Sequence, residues 1–169
     1  MKWNNEFGRN RGMNMSYKFE KMTQKEAEEI AYGWHYDGKY AFYNMEADKE
    51  DLAEFLDPQF RGETVFTALK EEAVAGFFSV SRSDDGVCEI GLGMRPDLTG
   101  NGKGTDFLKD GLSFVINQFK PNKITLSVAA FNQRAIKVYM KNGFTAIEKF
   151  MQDTNGGTYE FLRMEYNVE

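Results

Sequence analysis

The glycine stretch of residues 97–108, DLTGNGKGTDFL, is the feature that most limits what this chain can form. The run VCEIGLGMRP before it predicts a strand that Pro96 stops, and apolar residues from Phe107 to Phe119 recur after it at helical spacing. The first amide groups of a helix have no partner within the helix, and glycines allow an anion to reach them. The stretch therefore predicts an anion site at the start of a helix, with a pyrophosphate as the candidate anion.

Two other glycine motifs do not fit this stretch. A Walker P-loop requires a glycine five positions before the Gly-Lys pair and a Ser or Thr after the lysine, and Asp97 and Gly104 occupy those positions. A dinucleotide-binding fingerprint requires a third glycine where Thr105 stands, and the next strand ends in Ala129 and Ala130 rather than in an acidic residue. The description that remains for this stretch is a GxGxG turn that follows a strand ending in x-Pro.

Composition narrows the class of protein further. The chain has 169 residues and a net charge of −5, which fits a single domain and argues against a nucleic-acid partner. We expect residues 1–14 to be a disordered extension and residues 15–169 to form the domain. With Cys88 and His35 as the only residues of their types, no metal site is predicted. No apolar run could span or target a membrane, so we expect a cytoplasmic protein.

Hydrophobic periodicity predicts the order β-α-α-β-β-β-α-β-α-β-β along the rest of the chain. We therefore expect an α/β protein with a mixed, mostly antiparallel sheet flanked by helices. In the last helix, Ala135, Ile136, Tyr139 and Met140 are predicted to face inward. The predicted strands are 17–22, 63–70, 73–82, 87–96, 123–129 and a final hairpin around 155–157, and the helices are 23–32, 47–58, the segment up to Phe119, and 132–144.

Two motifs together resemble one family. MRPDLTGNGKGTDFL is similar to the acyl-CoA-binding signature of the GCN5-related N-acetyltransferases (GNAT), and NQRAIKVYMKNGF is similar to that family's Asn-x-x-Ala-x-x-x-Tyr-x-x-x-Gly-Phe signature. The resemblance extends over residues 17–167 and implies the acyl-CoA N-acyltransferase fold. One position departs from the family, since Thr99 stands where Arg or Gln usually precedes the first glycine. A long side-chain contact to the cofactor is therefore missing from the loop.

The resemblance also implies a site for acetyl-CoA. The amide of Met94 would donate to the acyl oxygen, Tyr139 would protonate the departing thiolate, and Glu89 or a water relay would serve as base. Gly91 and Gly93 would fit a strand that departs from its neighbour, because strand glycines mark bulges or close backbone approaches. The residues expected to bind the cofactor are Met94, Arg95, Thr99, Gly100, Asn101, Gly102, Lys103, Gly104, Thr105, Asn132 and Tyr139.

The acceptor site is expected in residues 33–44, GWHYDGKYAFYN, which we call the aromatic segment. Trp34, Tyr36, Tyr40 and Tyr43 are candidates for a pocket wall, and Asp37 for pairing with a cationic amine. The resemblance implies acetyl transfer by direct attack of a primary amine in a ternary complex, with a small amine favoured over a protein amine. The alternative is a non-catalytic acyl-CoA-binding sensor or interaction module. The chain is expected to be a monomer or a homodimer.

Overall fold

The computed structural model describes residues 16–100 and 102–169, so the predicted extension and Met15 lie outside the described residues. The described residues form seven strands and five α-helices. The strands are β1 (Lys18–Lys21), β2 (Val65–Lys70), β3 (Ala73–Arg82), β4 (Val87–Met94), β5 (Lys123–Ala129), β6 (Thr145–Thr154) and β7 (Gly157–Asn167). The helices are α1 (Gln24–Gly33), α2 (Lys49–Leu56), α3 (Pro58–Arg61), α4 (Gly104–Phe119) and α5 (Gln133–Lys141). Shorter 3-10 turns are formed by Gly38–Tyr43, Met45–Ala47 and Pro96–Leu98.

The strands form one sheet in the order β1-β2-β3-β4-β5-β7-β6. Every neighbouring pair is antiparallel except β4 and β5, which are parallel and are connected by α4. This arrangement confirms the predicted fold class, a mixed and mostly antiparallel sheet with a β-α-β unit at its centre.

Helices cover both faces of the sheet because successive strand residues point to opposite faces. In β3, Phe78 is fully buried in the larger core cluster, which includes Phe107 and Leu112 of α4. Its neighbour Phe77 packs against a second cluster, which includes Ile30 of α1. The side chains of α4 and α1 therefore lie on opposite sides of β3.

Helix starts follow the capping residues that the sequence offers. Thr23 and Glu26 form the predicted capping box at α1, in which each side chain accepts a hydrogen bond from the other residue's backbone amide. Asn132 caps α5, and Gly143 follows that helix with a φ of 100°. These local signals explain why the boundaries of both helices were predictable.

Pro58 lies beyond the end of α2, as expected, and it begins the short helix α3, because Asp57 caps a further turn in which Pro58 occupies the first position. One detail of the prediction is wrong. Met140 was expected to face inward, yet 51 % of its surface is exposed.

None of the helices in the described part of the chain is both long and apolar enough to cross a bilayer.

Candidate active site

The two central strands separate partway along their length. The strands β4 and β5 are paired only where Val87–Glu89 of β4 lie beside Lys123–Thr125 of β5. The amide of Arg95 donates to the carbonyl of Ala75 at 2.8 Å, so it points toward β3. Because backbone groups alternate in direction along a strand, those of Leu92 and Met94 point toward the gap beside β5. Within the described residues, the amides of Leu92 and Met94 and the carbonyl of Leu92 have no partner, so the gap presents them to whatever enters it.

The glycines of β4 do not cause this separation through a bulge. The register of β3 and β4 is continuous from Cys88 to Met94. A Cβ on Gly93 would lie 2.6 Å from the ring of Phe77, and a Cβ on Gly91 would lie 2.7 Å from Oγ of Ser79. These glycines make room for side chains of β3, whereas the expectation was a bulge or a close backbone approach, and no bulge occurs in this pairing.

A cavity of about 570 Å³ occupies the gap. Its size is in the usual range for small-molecule sites. It extends from the glycine loop, residues 99–105, past the separated strands to the aromatic segment and the β6–β7 turn. The residues that line it include Trp34, Tyr36, Tyr40, Tyr43, Asp48, Asp51, Leu92, Met94, Thr99, Gly100, Gly102, Gly104, Thr105, Asn132, Arg134, Tyr139 and Asn155.

The glycine loop has the backbone that an anion site requires. Gly100 and Gly102 have φ of 77° and 74°, in the left-handed region that favours glycine. Space around Gly102 is open, since a Cβ there would meet nothing within 4 Å. The loop leads directly into α4, whose first amide groups lack intrahelical partners. The loop and this helix start therefore fit a diphosphate.

Among the described residues, two predicted cofactor residues do not line the cavity, Arg95 and Lys103. Arg95 donates to Asp97 at 2.6 Å and to the carbonyl of Val74 at 2.8 Å, and Lys103 is exposed. Thr99 does line the cavity, but its hydroxyl donates to the carbonyl of Pro96 at 2.7 Å. Asn101 lies outside the described residues.

Tyr139 lies on the inward side of α5 and lines the cavity. Burial raises the pKa of its phenol well above the ordinary value, and the nearby Tyr43 phenol acts in the same direction. The hydroxyl therefore keeps its proton at any physiological pH. It can donate a hydrogen bond to an anion but cannot act as a base.

Asn132 uses both ends of its side-chain amide. Its oxygen accepts from the backbone amide of Ala135 at 3.1 Å, and its nitrogen donates to the hydroxyl of Tyr43 at 3.1 Å. The second contact joins α5 to the aromatic segment across 89 positions of sequence. The predicted role of Asn132 on the cofactor stays a prediction.

The aromatic segment is also joined to the end of β4. The hydroxyl of Tyr36 donates to the carbonyl of Met94 at 2.6 Å, and the amide of Tyr36 donates to Oδ1 of Asn44 at 2.8 Å. Burial raises the pKa of Tyr36 to about 12, so this hydroxyl remains a donor. Nothing in the sequence signalled this contact, because its partners are 58 positions apart.

Asp48, which caps α2, and Asp51, which lies within α2, line the cavity and were not predicted. Asp48 accepts hydrogen bonds from the amides of Asn155, Glu50 and Asp51, and the first of these is the main reason that its pKa is lowered. Burial and the nearby carboxylates, Asp48 first among them, raise the pKa of Asp51. Within the described residues the Asp51 carboxylate has no hydrogen bond or ion pair, so it is available to a cation.

Glu89 and Asp37 are predicted site residues that the structure does not bring to the cavity. Glu89 is exposed on β4, opposite Ser81 and Thr125, and Asp37 is exposed before the first 3-10 turn. Neither is among the lining residues.

The comparisons with known proteins agree with this geometry. Residues 18–145 match the model of the acetyltransferase (GNAT) domain. This match covers more than half of the chain, and the chain belongs to the GNAT acetyltransferase family, as the two motifs indicated. No curated protein matches the chain.

Solved structures of low sequence identity share the fold. A GNAT-family acetyltransferase from Bacillus anthracis has a TM-score of 0.71 at 16% identity, covering 90% of this chain and 97% of that one. AAC(6')-Ib in complex with ribostamycin and coenzyme A gives 0.69 at 20% identity, covering 90% and 93%. A chimera of the spermidine N-acetyltransferase SpeG from Vibrio cholerae and hSSAT gives 0.68 at 14% identity, covering 90% and 95%.

Proposed function

We propose that this protein transfers an acetyl group from acetyl-CoA to a primary amine of a small cationic molecule. The observation that carries the proposal is one continuous cavity with a glycine loop and a helix start at one end and aromatic and acidic side chains at the other. Between the two ends lie the amides of Leu92 and Met94 in β4 and the phenol of Tyr139. The diphosphate, the acyl group and the amine each have a matching part of this cavity.

The cofactor residues of the proposal are the loop and the strand end. The amides of the glycine loop and of the start of α4 would hold the diphosphate. The amide and carbonyl of Leu92 would hold the arm that leads to the sulfur, since the Met94 carbonyl already accepts from Tyr36. When bound, acetyl-CoA supplies a thioester that the lone pair of the amine attacks, with the CoA thiolate as leaving group.

Met94 and Tyr139 would act on the two ends of that thioester. The amide of Met94 points into the gap and would donate to the acyl oxygen as negative charge develops there. Tyr139 would donate a hydrogen bond to the sulfur. Because burial raises the pKa of Tyr139, hydrogen bonding to the thiolate is favoured over complete proton transfer.

The attacking amine must lose a proton before or during attack. Glu89 was one candidate for the base and water was the other. Glu89 is exposed and does not line the cavity, so its position favours the water relay.

A small cationic acceptor is favoured by the far end of the cavity. Trp34, Tyr36 and Tyr40 provide aromatic surface there, and Asp51 provides a carboxylate that has no partner among the described residues. Two structural neighbours are a chimera of a spermidine N-acetyltransferase and AAC(6')-Ib in complex with ribostamycin, and both names refer to small molecules with amino groups. We further propose a cytoplasmic monomer or homodimer with no nucleic-acid or membrane partner, which the acidic net charge of −5 supports.

The function is tested by titrating the protein with acetyl-CoA and then screening amines for release of free thiol. The screen includes a diamine, a monoamine of the same length, ribostamycin and a lysine peptide. Turnover with the diamine above the monoamine is expected. Turnover of the peptide alone would contradict a small acceptor. Binding of acetyl-CoA without thiol release for any amine would favour the non-catalytic sensor, the reading for which the departure at Thr99 is the main support.

Asp51→Asn tests the acidic end of the cavity. The variant removes the charge and keeps the shape, so we expect the KM of the diamine to rise about fivefold, the value of a partly exposed ion pair. The KM of the monoamine and the affinity for CoA should not change. Asp84→Asn, at an exposed turn, is the matched control. Equal effects of Asp51→Asn on both amines would contradict this role.

A further inference from the structure

Arg134 occupies a position between the two ends of the cavity. It is the second residue of α5, and its side chain lines the cavity. Its guanidinium carbon lies 4.2 Å from the ring centroid of Tyr40. Its Nη1 atom lies 3.4 Å from the point where a Cβ on Gly100 would be, so it lies directly beside the glycine loop.

Arg134 keeps its guanidinium donors available, although its charge lies over the Tyr40 ring and near the Tyr36 phenol. Its side chain has no hydrogen bond or ion pair in the described part of the chain, and it is the one cationic side chain among the described residues that line the cavity. Arg95 donates its hydrogen bonds to Asp97 and to a backbone carbonyl, and Lys103 does not line the cavity. The five donors of Arg134 are therefore available beside a loop that is shaped for an anion.

We propose that Arg134 binds the diphosphate of CoA and supplies from α5 the long polar contact that Thr99 does not supply from the loop. This inference rests on the proposed function. The glycine loop offers neutral amide donors, and a guanidinium adds a charged, forked donor that pairs with two phosphate oxygens. The two motifs of the chain then meet on one ligand group, although they are separated by β5.

Stacking prepares Arg134 for this role. The guanidinium lies on the face of Tyr40, which restricts its rotamers before the ligand arrives. A side chain that is already oriented loses less entropy when it binds. The aromatic segment therefore contributes to the cofactor site as well as to the acceptor site.

Calorimetric titration of Arg134→Ala, Arg134→Lys and the control Lys137→Ala tests the proposal. Lys137 is an exposed lysine of the same helix that does not line the cavity. We expect Arg134→Ala to weaken both CoA and dephospho-CoA about tenfold, since hydrogen bonds to charged groups are stronger than neutral ones. Arg134→Lys should lie between Ala and wild type, and Lys137→Ala should match wild type.

S-acetylpantetheine has no diphosphate. It therefore distinguishes the loss of a diphosphate contact in Arg134→Ala from general damage to the fold of the site. Relative to wild type, Arg134→Ala should lower the turnover of S-acetylpantetheine by a smaller factor than it lowers the affinity for CoA. Unchanged CoA affinity in Arg134→Ala would overturn the proposal, as would a loss for CoA but not for dephospho-CoA, which would assign Arg134 to the 3′-phosphate. Equal losses for CoA and S-acetylpantetheine would also overturn it. Failure of wild type to bind CoA would instead overturn the proposed function itself.

Discussion

At the scale of single residues, burial determines what the site tyrosines can do. Tyr139 and Tyr36 both line the cavity, and burial raises the pKa of each. The hydroxyl of Tyr36 is committed to the carbonyl of Met94. No hydrogen bond of the Tyr139 hydroxyl occurs within the described residues, so of the two it is the one that is free to donate to a ligand.

Tyr139→Phe removes that donor and keeps the ring. We expect kcat to fall about 100-fold, in the range for loss of a positioned proton donor, while the affinity for CoA stays nearly constant. Steady-state kinetics and calorimetric titration measure the two quantities. Because the pKa of Tyr139 is raised, the wild-type rate should show no decline from tyrosine ionisation up to about pH 10. A large loss of CoA affinity in the variant would show that Tyr139 binds the cofactor instead.

At the scale of elements, the fit of α4 against the sheet depends on the absence of a side chain. Gly111 lies in the middle of α4, where glycine usually costs helix stability. A Cβ there would lie 2.0 Å from Cζ of Phe78. The Phe78 ring cannot move aside, because it is fully buried and packs edge-on against Phe19 and Phe107.

Gly111→Ala should therefore destabilise the protein. Overpacking of a core costs about 1–3 kcal/mol and outweighs the gain in helix propensity of up to about 1 kcal/mol, so we expect a net loss of about 1–2 kcal/mol. Urea denaturation measures it. Gly33→Ala is the matched control, since a Cβ at the end of α1 would meet nothing within 4 Å, and its effect should stay within about 0.5 kcal/mol. Equal effects of the two substitutions would contradict the packing argument.

At the scale of the whole molecule, Asp48 joins two distant parts of the chain. Its carboxylate caps α2 through the amides of Glu50 and Asp51. It also accepts from the amide of Asn155 at 2.9 Å and from the hydroxyl of Thr154 at 3.2 Å, in the turn between β6 and β7. One charged group therefore positions the acceptor end of the cavity from both sides.

This contact predicts a stability that depends on pH. Hydrogen bonds hold the pKa of folded Asp48 below its unfolded value, so its stabilisation is present above the unfolded pKa. That stabilisation is lost as the pH falls through the folded pKa. Asp48→Asn cannot titrate, so its loss of unfolding free energy between about pH 7 and about pH 3 should be smaller than in wild type.

Urea denaturation at both pH values checks this expectation. Asp84→Asn, at an exposed turn, should keep the wild-type dependence. The same pH dependence in wild type and Asp48→Asn would show that the Asp48 contacts do not stabilise the fold.

The sequence by itself determined the features that depend on local chemistry. Glycines at 100, 102 and 104 before an apolar helical pattern indicated the loop, and Thr23 and Asn132 marked helix starts through short-range hydrogen bonds. Alternation and turn residues were enough to locate the strands along the chain, whereas their order in the sheet came from the structure. With the two motifs, they also indicated the family to which the chain belongs.

Only the tertiary structure decided which side chains meet in the cavity. Tyr36 reaches Met94, Asp48 reaches Asn155 and Arg134 stacks on Tyr40 through folding that brings distant segments together. Glu89 and Asp37 have suitable chemistry but lie outside the lining. Contacts of this kind depend on where β4 and β5 separate, which is a property of the whole sheet and leaves no periodic signal in the chain.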